Sequence, residues 1–216
     1  ANVPVDMMVA GRTDRGVHAT GQVAHVDLVQ DRPGWSVRDA LNAHLRPEPI
    51  SVLSAEKTHD AFHARFDAIE RTYLYRILNR RPGLALDAGR VWRVVPSLDI
   101  EAMAAGATHL LGHHDFSTFR HADCQAKSPI KTLDAFSLSQ DGEAINIIAR
   151  SRSFLHSQVR SMVGSLVEVG RGKRDPVWMA EILAARDRSR CGPLAPPDGL
   201  YLTGVLYANQ APKTRV

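Results

Sequence analysis

Cysteine and long apolar runs are scarce in this 216-residue chain. Its two cysteines, Cys124 and Cys191, lie far apart without metal-type spacing, which argues against a disulfide framework and favours a reducing compartment. No apolar run is long enough to cross a bilayer, and no charged-then-apolar leader opens the sequence. We therefore expect a soluble, cytoplasmic protein. A hydrophobic content of 44% suffices for one large domain or two small ones.

Lysine is also rare, although the chain is basic, with a formal net charge of +4. Of the 27 Lys+Arg residues, 5 are lysine and 22 are arginine. Arginine offers a planar fork for phosphate and a flat face that stacks on a base. This choice of cation favours a nucleic-acid partner, but high-GC codon usage explains it equally well.

The sequence lacks a recognisable set of metal ligands, despite its ten histidines. His59 and His63 are four residues apart, and His109, His113 and His114 cluster near a predicted helix end. No cysteine or paired carboxylate completes a ligand set around either group. We expect these histidines to be structural or to face solvent, and we expect no metal.

The most informative stretch is AGRTDRGVHATGQ, residues 10–22, in which Asp14 lies between Arg12 and Arg15. Two arginines this close favour an ionised carboxylate, which suits a nucleophile or an anchor. The flanking glycines permit a turn, and the apolar run at residues 5–9 predicts a strand that leads into it. A solvated surface turn with ion pairs is the alternative interpretation.

Hydrophobic periodicity predicts a mixed α/β protein. We place strands at residues 5–9, 22–28, 50–56, 71–77, 130–139, 144–151 and 199–207, and helices at residues 36–45, 156–169 and 176–185. A further helix, capped by Ser97 or Asp99, runs to about residue 111. Ser36 is the predicted cap of the first helix, with Asp39 completing an imperfect capping box. We expect two α/β halves, an N-terminal half at residues 1–61 and a C-terminal half at residues 62–216.

Two predicted elements carry further candidates. Along residues 71–77, alternation places Arg71, Tyr73, Tyr75 and Ile77 on one face of a strand, where half-buried aromatics are common for purely structural reasons. In the helix at residues 156–169, Arg160 lies beside the apolar stripe, from where it could project into a cleft.

Several segments together resemble the TruA family of tRNA pseudouridine synthases. The segments are GRTDRGVHATGQVAHVDL, FHARFDAIERTYLYRILNR, DFSTF, HSQVRSMVGSLVEVGRGK and GLYL. The resemblance implies an α+β pseudouridine synthase fold, with two similar halves of antiparallel-rich sheets flanked by helices around a basic central cleft. Two departures are visible: the family usually opens with a further strand and helix before the first segment, and Arg15 replaces the usual alanine.

The resemblance also implies roles for individual residues. Asp14 corresponds to the catalytic nucleophile, which attacks the sugar C1′ or the base, or assists a glycal route, and the sequence leaves these routes open. Tyr73 corresponds to the tyrosine that packs on the target base and serves in proton removal at C5, and Arg160 to the arginine that holds the aspartate. Arg12 corresponds to the arginine associated with flipping the uridine, and Arg15 and Leu200 are further substrate-binding candidates.

The arginines outside these motif positions are candidates for phosphate contacts. They include Arg65, Arg71 and Arg120. The alternative for each of them is an ordinary surface residue.

The implied activity is isomerisation of uridine to pseudouridine in the tRNA anticodon stem-loop, at positions 38–40 of the tRNA, by a homodimer that requires no cofactor. A hydrolase would usually need two carboxyl groups, whereas the motif supplies one acid among arginines, which suits an isomerase better. A catalytically incomplete tRNA-binding protein of the same fold remains the alternative.

Overall fold

The computed structural model of the protein describes residues 5–208. Its strands are β1 Met7–Val9, β2 His18–Ala19, β3 Ala24–Val26, β4 Ala68–Asn79, β5 Trp92–Val94, β6 Gly112–Asp115, β7 Ile130–Leu133, β8 Ala135–Asp141, β9 Ala144–Ser151 and β10 Leu200–Tyr207. Its α-helices are α1 Gly34–His44, α2 Ile100–Thr108, α3 Gln158–Gly170 and α4 Trp178–Ala185. Three short 3-10 turns lie at Ser117–Phe119, Arg188–Arg190 and Pro197–Gly199.

The chain folds into two compact units. The smaller unit comprises Ala1–Ala10 and Val23–Asp67, and the larger comprises Gly11–Gln22 and Ala68–Val216. The segment around Asp14 therefore belongs to the larger unit, although the expected halves, 1–61 and 62–216, would assign it to the N-terminal one. The cause is local, since the backbone N–H groups of Thr20 and Gly21 donate to the carbonyl of Leu202 at 2.9 and 3.1 Å.

A six-stranded sheet forms the framework of the larger unit. Its strands lie in the order β2-β10-β4-β9-β8, and β5 pairs beside β4. The β10–β4, β4–β9 and β9–β8 pairs are antiparallel, whereas β2 and β5 pair in parallel with their neighbours. The predicted mixed α/β class is confirmed, with sheets that are mainly antiparallel.

The long strand β4 shows the predicted alternation. Arg71, Tyr73, Tyr75 and Ile77 are buried, while the residues between them are only partly buried. The buried face packs into the core with residues from β9 and α3. Both tyrosines therefore point to the same side of the sheet, as expected from the period of two.

The helix α3 packs its apolar stripe into the same core. Val159, Met162, Val163, Leu166 and Val167 are all buried. The stripe follows the i, i+3, i+4, i+7 spacing from which the helix was predicted, and the helix ends at Gly170.

The boundaries of α2 and of the next strands differ from the prediction. Asp99 caps α2, because its side chain accepts a hydrogen bond from the N–H of Ala102 at 2.9 Å. The helix ends at Thr108, short of residue 111, and Gly112 adopts φ +98° at the start of β6. The predicted strand at 130–139 is divided, because β7 pairs with β6 while β8 pairs with β9.

In the smaller unit, β1 and β3 form an antiparallel pair and α1 follows. The prediction that Ser36 caps this helix is wrong: the N-cap is Pro33, without a side-chain hydrogen bond. The predicted strand at 50–56 is also wrong. The Asn42 amide donates to the carbonyl of Val52 at 2.9 Å and accepts from its N–H at 2.7 Å, so a side chain supplies the partners that a strand would find in a neighbour.

Within residues 5–208, no helix is both long and apolar enough to span a membrane. The same part of the chain holds no group of three or more His, Cys, Asp or Glu side chains that could bind a metal ion. Cys124 and Cys191 are both free thiols.

Candidate active site

The segment that carries Asp14 is a loop closed on itself and attached to the sheet. The Gln22 side chain donates to the carbonyl of Gly11 at 2.6 Å and accepts from its N–H at 3.3 Å. At its other side the loop lies against β10, where a Cβ on Gly21 would stand 2.2 Å from the carbonyl oxygen of Thr203. Glycine is therefore required for this close approach. The loop is therefore closed by the Gln22 side chain and held against β10 by its backbone.

Asp14 is half-buried, with 24% of its side chain exposed, and both of its carboxylate oxygens are held. Arg160 Nη1 lies 2.7 Å from Oδ2, and the Ser157 hydroxyl donates to the same oxygen at 3.1 Å. His156 Nε2 lies 3.3 Å from Oδ1. All three partners lie more than 140 residues along the chain from Asp14.

The guanidinium group of Arg160 is fixed in two directions. Its Nε donates to the carbonyl of Ala195 at 2.9 Å while Nη1 donates to Asp14, and only 12% of the side chain is exposed. A planar fork with separate donors suits this double contact. The helix α3 thus delivers a rigid cation to the carboxylate.

Tyr73 brings a phenol close to the loop from β4. Its hydroxyl lies 3.6 Å from the point where a Cβ on Gly11 would stand, and its ring meets Phe154 edge to face at 5.2 Å between centroids. Burial raises the pKa of Tyr73 to about 12; the negative charge of Asp14 adds to the rise and Arg71 opposes it. Tyr73 is therefore a neutral phenol at physiological pH.

The remaining predicted site residues occupy different environments. Arg12 and Arg15 are exposed, and neither makes a hydrogen bond or ion pair with any residue in the described range 5–208. These two neighbours in sequence are not in contact with the Asp14 carboxylate, because an exposed guanidinium stays hydrated while the half-buried carboxylate turns towards α3. Leu200 is buried at the start of β10, opposite Tyr75 in the sheet.

Two arginines proposed for phosphate contact have structural partners instead. Arg71 is buried and donates to the carbonyl of Arg152 at 2.5 Å. Arg120 donates to the carbonyls of Cys124 and Ala126 at 2.7 and 2.8 Å. Both groups satisfy backbone acceptors within the fold, and Arg71 is also buried.

The third of those arginines, Arg65, is exposed and lies 5.8 Å from the ring centroid of Phe66.

Sequence reasoning missed His156 and Ser157 as neighbours of Asp14. Ser157 adopts a left-handed conformation with φ 59° directly before α3, and its carbonyl accepts from the N–H of Ser161 at 2.9 Å. A signal was present, since Ser157 lies three residues before Arg160 and residues at that spacing share one side of a helix end. Nothing in the hydrophobic pattern indicated the left-handed turn that aims both side chains at the loop.

Comparison with known proteins places this chain in a family. A family described as tRNA pseudouridine synthase matches residues 107–208. A tRNA pseudouridine synthase A from Paramagnetospirillum magneticum is 59% identical over 212 residues, which covers 98% of this chain and 83% of that protein. The chain belongs to the tRNA pseudouridine synthase A family.

Other family members show the same extent of similarity. Proteins of that name from Azorhizobium caulinodans and Maricaulis maris are each 58% identical, over 205 and 208 residues. The matches cover 95% and 96% of this chain and 80% and 84% of those two proteins. The predicted membership of the family of tRNA pseudouridine synthases, and with it the predicted isomerase class, is confirmed.

Proposed function

We propose that the protein isomerises uridine to pseudouridine in the anticodon stem-loop of tRNA. The proposal rests on the ion pair of 2.7 Å between Asp14 and Arg160. This contact brings two motifs that are far apart in the sequence together in one site. Family membership supports the reaction class, and the resemblance of the motifs supports the choice of the anticodon arm.

The reaction requires an electron-rich oxygen beside the sugar of the target nucleotide. The glycosidic bond from C1′ to N1 breaks, the detached uracil turns, and C1′ forms a bond to C5, after which the C5 proton is lost. Asp14 would supply the oxygen, since Arg160 and the Ser157 hydroxyl donate hydrogen bonds that hold its carboxylate in place. A single carboxylate suffices, because no water has to be activated.

Tyr73 would support the base during its rotation. Its ring is a flat apolar surface held by Phe154, and a neutral phenol can donate one hydrogen bond to the base. Ionising Tyr73 at pH 7.5 would cost about 6 kcal/mol for a pKa of about 12. We therefore favour stacking over service as a resident base for the C5 proton.

The target uridine must leave its stack before the glycosidic bond becomes accessible. Arg12 and Arg15 are exposed on the same loop as Asp14, so their guanidinium groups are open to an anionic or aromatic partner. We assign Arg12 to flipping of the uridine, in keeping with the family motif, and Arg15, which replaces the usual alanine, to phosphate contact. Leu200 would pack against the base from the start of β10.

The test is incubation of unmodified tRNA with the protein, followed by chemical mapping of pseudouridine. We expect product in the anticodon arm with the natural sequence and none with Asp14→Ala. Asp134→Ala is the matched control, because it removes an exposed carboxylate from the same unit and should leave the rate unchanged.

Other outcomes would identify other functions. Salt-sensitive tRNA binding without product from the natural sequence would indicate the catalytically incomplete binding protein. Release of free uracil would indicate a hydrolase. Product formation that survives Asp14→Ala would overturn the assignment of this residue.

We also propose, from the family resemblance alone, that the protein is a cytoplasmic homodimer whose two similar halves flank a basic cleft. Light scattering on the purified protein, with and without tRNA, tests the assembly. A mass of one chain under both conditions would contradict it.

A further inference from the structure

The two oxygens of the Asp14 carboxylate are held to different degrees. A carboxylate has about four lone-pair sites, two on each oxygen. On Oδ2 both sites are taken, one by Arg160 at 2.7 Å and one by the Ser157 hydroxyl at 3.1 Å. On Oδ1 a single partner, His156, lies at 3.3 Å among the described residues 5–208. Oδ1 is thus the oxygen that keeps a free lone pair.

Each of the three routes open to the reaction uses one lone pair of this carboxylate. In attack on the sugar, the oxygen forms a bond to C1′ while the electron pair of the C1′–N1 bond passes to the uracil ring. In attack on the base, the oxygen forms a bond to C6 while the electron pair of the C5=C6 double bond passes to the C4 carbonyl. In the glycal route, the oxygen takes the proton from C2′, the C–H pair becomes the C1′=C2′ double bond, and the C1′–N1 pair passes to uracil. All three routes need an oxygen that is oriented but not fully occupied.

His156 is placed to provide that orientation. Because an ionised carboxylate only accepts hydrogen bonds, a hydrogen bond across this distance of 3.3 Å needs a proton on Nε2. The imidazole lies against the ring of His121, with 4.5 Å between ring centroids. The main chain that carries it is held as well: the backbone N–H of His121 donates to the backbone carbonyl of His156 at 3.1 Å, and the backbone N–H of His156 donates to Cys124 Sγ at 3.4 Å.

We propose that His156 is a positioning residue that orients Oδ1, the reacting oxygen of Asp14, by donating a hydrogen bond from Nε2. The proposal rests on the proposed function. Arg160 and Ser157 hold the carboxylate through Oδ2, and His156 sets the rotation about the bond that carries the carboxylate group. Because 38% of the His156 side chain is exposed, the group lies at the open side of the carboxylate, where a substrate would approach.

The test compares three variants of His156 with the natural protein. Glutamine places an amide donor near the position of Nε2, asparagine places it too close to the main chain, and leucine removes it. We expect His156→Leu and His156→Asn to lower the single-turnover rate of pseudouridine formation by about 10- to 100-fold. His156→Gln should restore the rate to within about threefold, and tRNA affinity should change by less than about twofold in all three.

His113→Leu is the matched control, since His113 is an exposed histidine in the same unit and should not affect either quantity. If the leucine variant does not fold, the comparison of the glutamine and asparagine variants still tests the proposal. The proposal would be overturned if the glutamine and asparagine variants had equal single-turnover rates, or if the leucine variant had the rate of the natural protein. It would also be overturned if the variants lost only tRNA affinity.

A second measurement does not depend on turnover. Long-range ¹⁵N–¹H spectra of the imidazoles, assigned through the signal lost in His156→Gln, should show a proton on Nε2 of His156, and Asp14→Ala should shift that nitrogen. An unprotonated Nε2 would overturn the role of His156. Absence of pseudouridine from the natural protein would instead overturn the proposed function, so the two failures are distinguishable.

Discussion

Replacement of Arg160 by lysine tests the contact on which the site depends. The guanidinium donates to Asp14 at 2.7 Å and to the carbonyl of Ala195 at 2.9 Å. Lysine keeps the charge but lacks the planar fork, so its ammonium group can serve one of these acceptors in the observed geometry but not both. The variant therefore loses one directional hydrogen bond at a carboxylate that must be held still.

A hydrogen bond to a charged group contributes about 1.5–3 kcal/mol. Since about 1.4 kcal/mol corresponds to a tenfold change in rate, the single-turnover rate of Arg160→Lys should fall by about 10- to 100-fold. We expect tRNA affinity to change by less than about twofold, because the side chain is largely enclosed by protein. The assay is single-turnover pseudouridine formation under enzyme excess, with affinity measured separately by filter binding.

Arg171→Lys is the matched control. Arg171 lies at the C-terminal end of α3 and pairs with Glu168 at 3.1 Å. The variant therefore shows how an arginine-to-lysine change affects the rate when no contact with Asp14 is involved. A rate for Arg160→Lys within about twofold of the natural protein would refute the reasoning. So would a deficit that appears wholly in tRNA affinity, because the contact would then serve binding and not orientation.

Two further predictions concern stability. Gly21→Ala should lower the free energy of unfolding by about 1–3 kcal/mol, because the added Cβ would stand 2.2 Å from the Thr203 carbonyl oxygen. Gly83→Ala is the control, since a Cβ at Gly83 would have no atom within 4 Å. Equal melting temperatures for the two variants would contradict the prediction. Because burial raises the pKa of Tyr73 from 10.0 to about 12, its contribution to stability is complete below pH 10 and is lost as pH rises through about 12. Urea unfolding between pH 9.5 and 12 should therefore show a shallower loss of stability for Tyr73→Phe than for the natural protein, and identical slopes would argue against a buried phenol.

The fold was predictable where one face of an element is buried. In β4 the buried and partly buried residues alternate around Tyr73 and Tyr75, and in α3 the apolar stripe is the buried one. These patterns follow from the chain periods of two and 3.6 residues. The prediction was wrong at 50–56, where the backbone hydrogen-bonds the side chain of Asn42, and local periodicity carries no information about such a partner.

The candidate site likewise contains residues that the sequence predicted and residues that it did not. Motif resemblance pointed to Asp14, Tyr73 and Arg160, and the structure brings all three into the larger unit. Proximity to Asp14 in the sequence was a poor guide for Arg12 and Arg15, which are exposed. The side chains of neighbouring residues in a loop need not point in the same direction. His156 and Ser157 depend on a left-handed residue before α3, which a serine adopts only when the surrounding fold imposes it.

The attachment of the Asp14 loop to β10 has a consequence for how the protein is made. The loop is synthesised before β10, Leu200–Tyr207, the strand with which it pairs. Until β10 has left the ribosome, the loop lacks the strand that holds it in place. A nascent chain, or one that terminates before β10, should therefore be catalytically inactive, so activity would report that translation has passed β10.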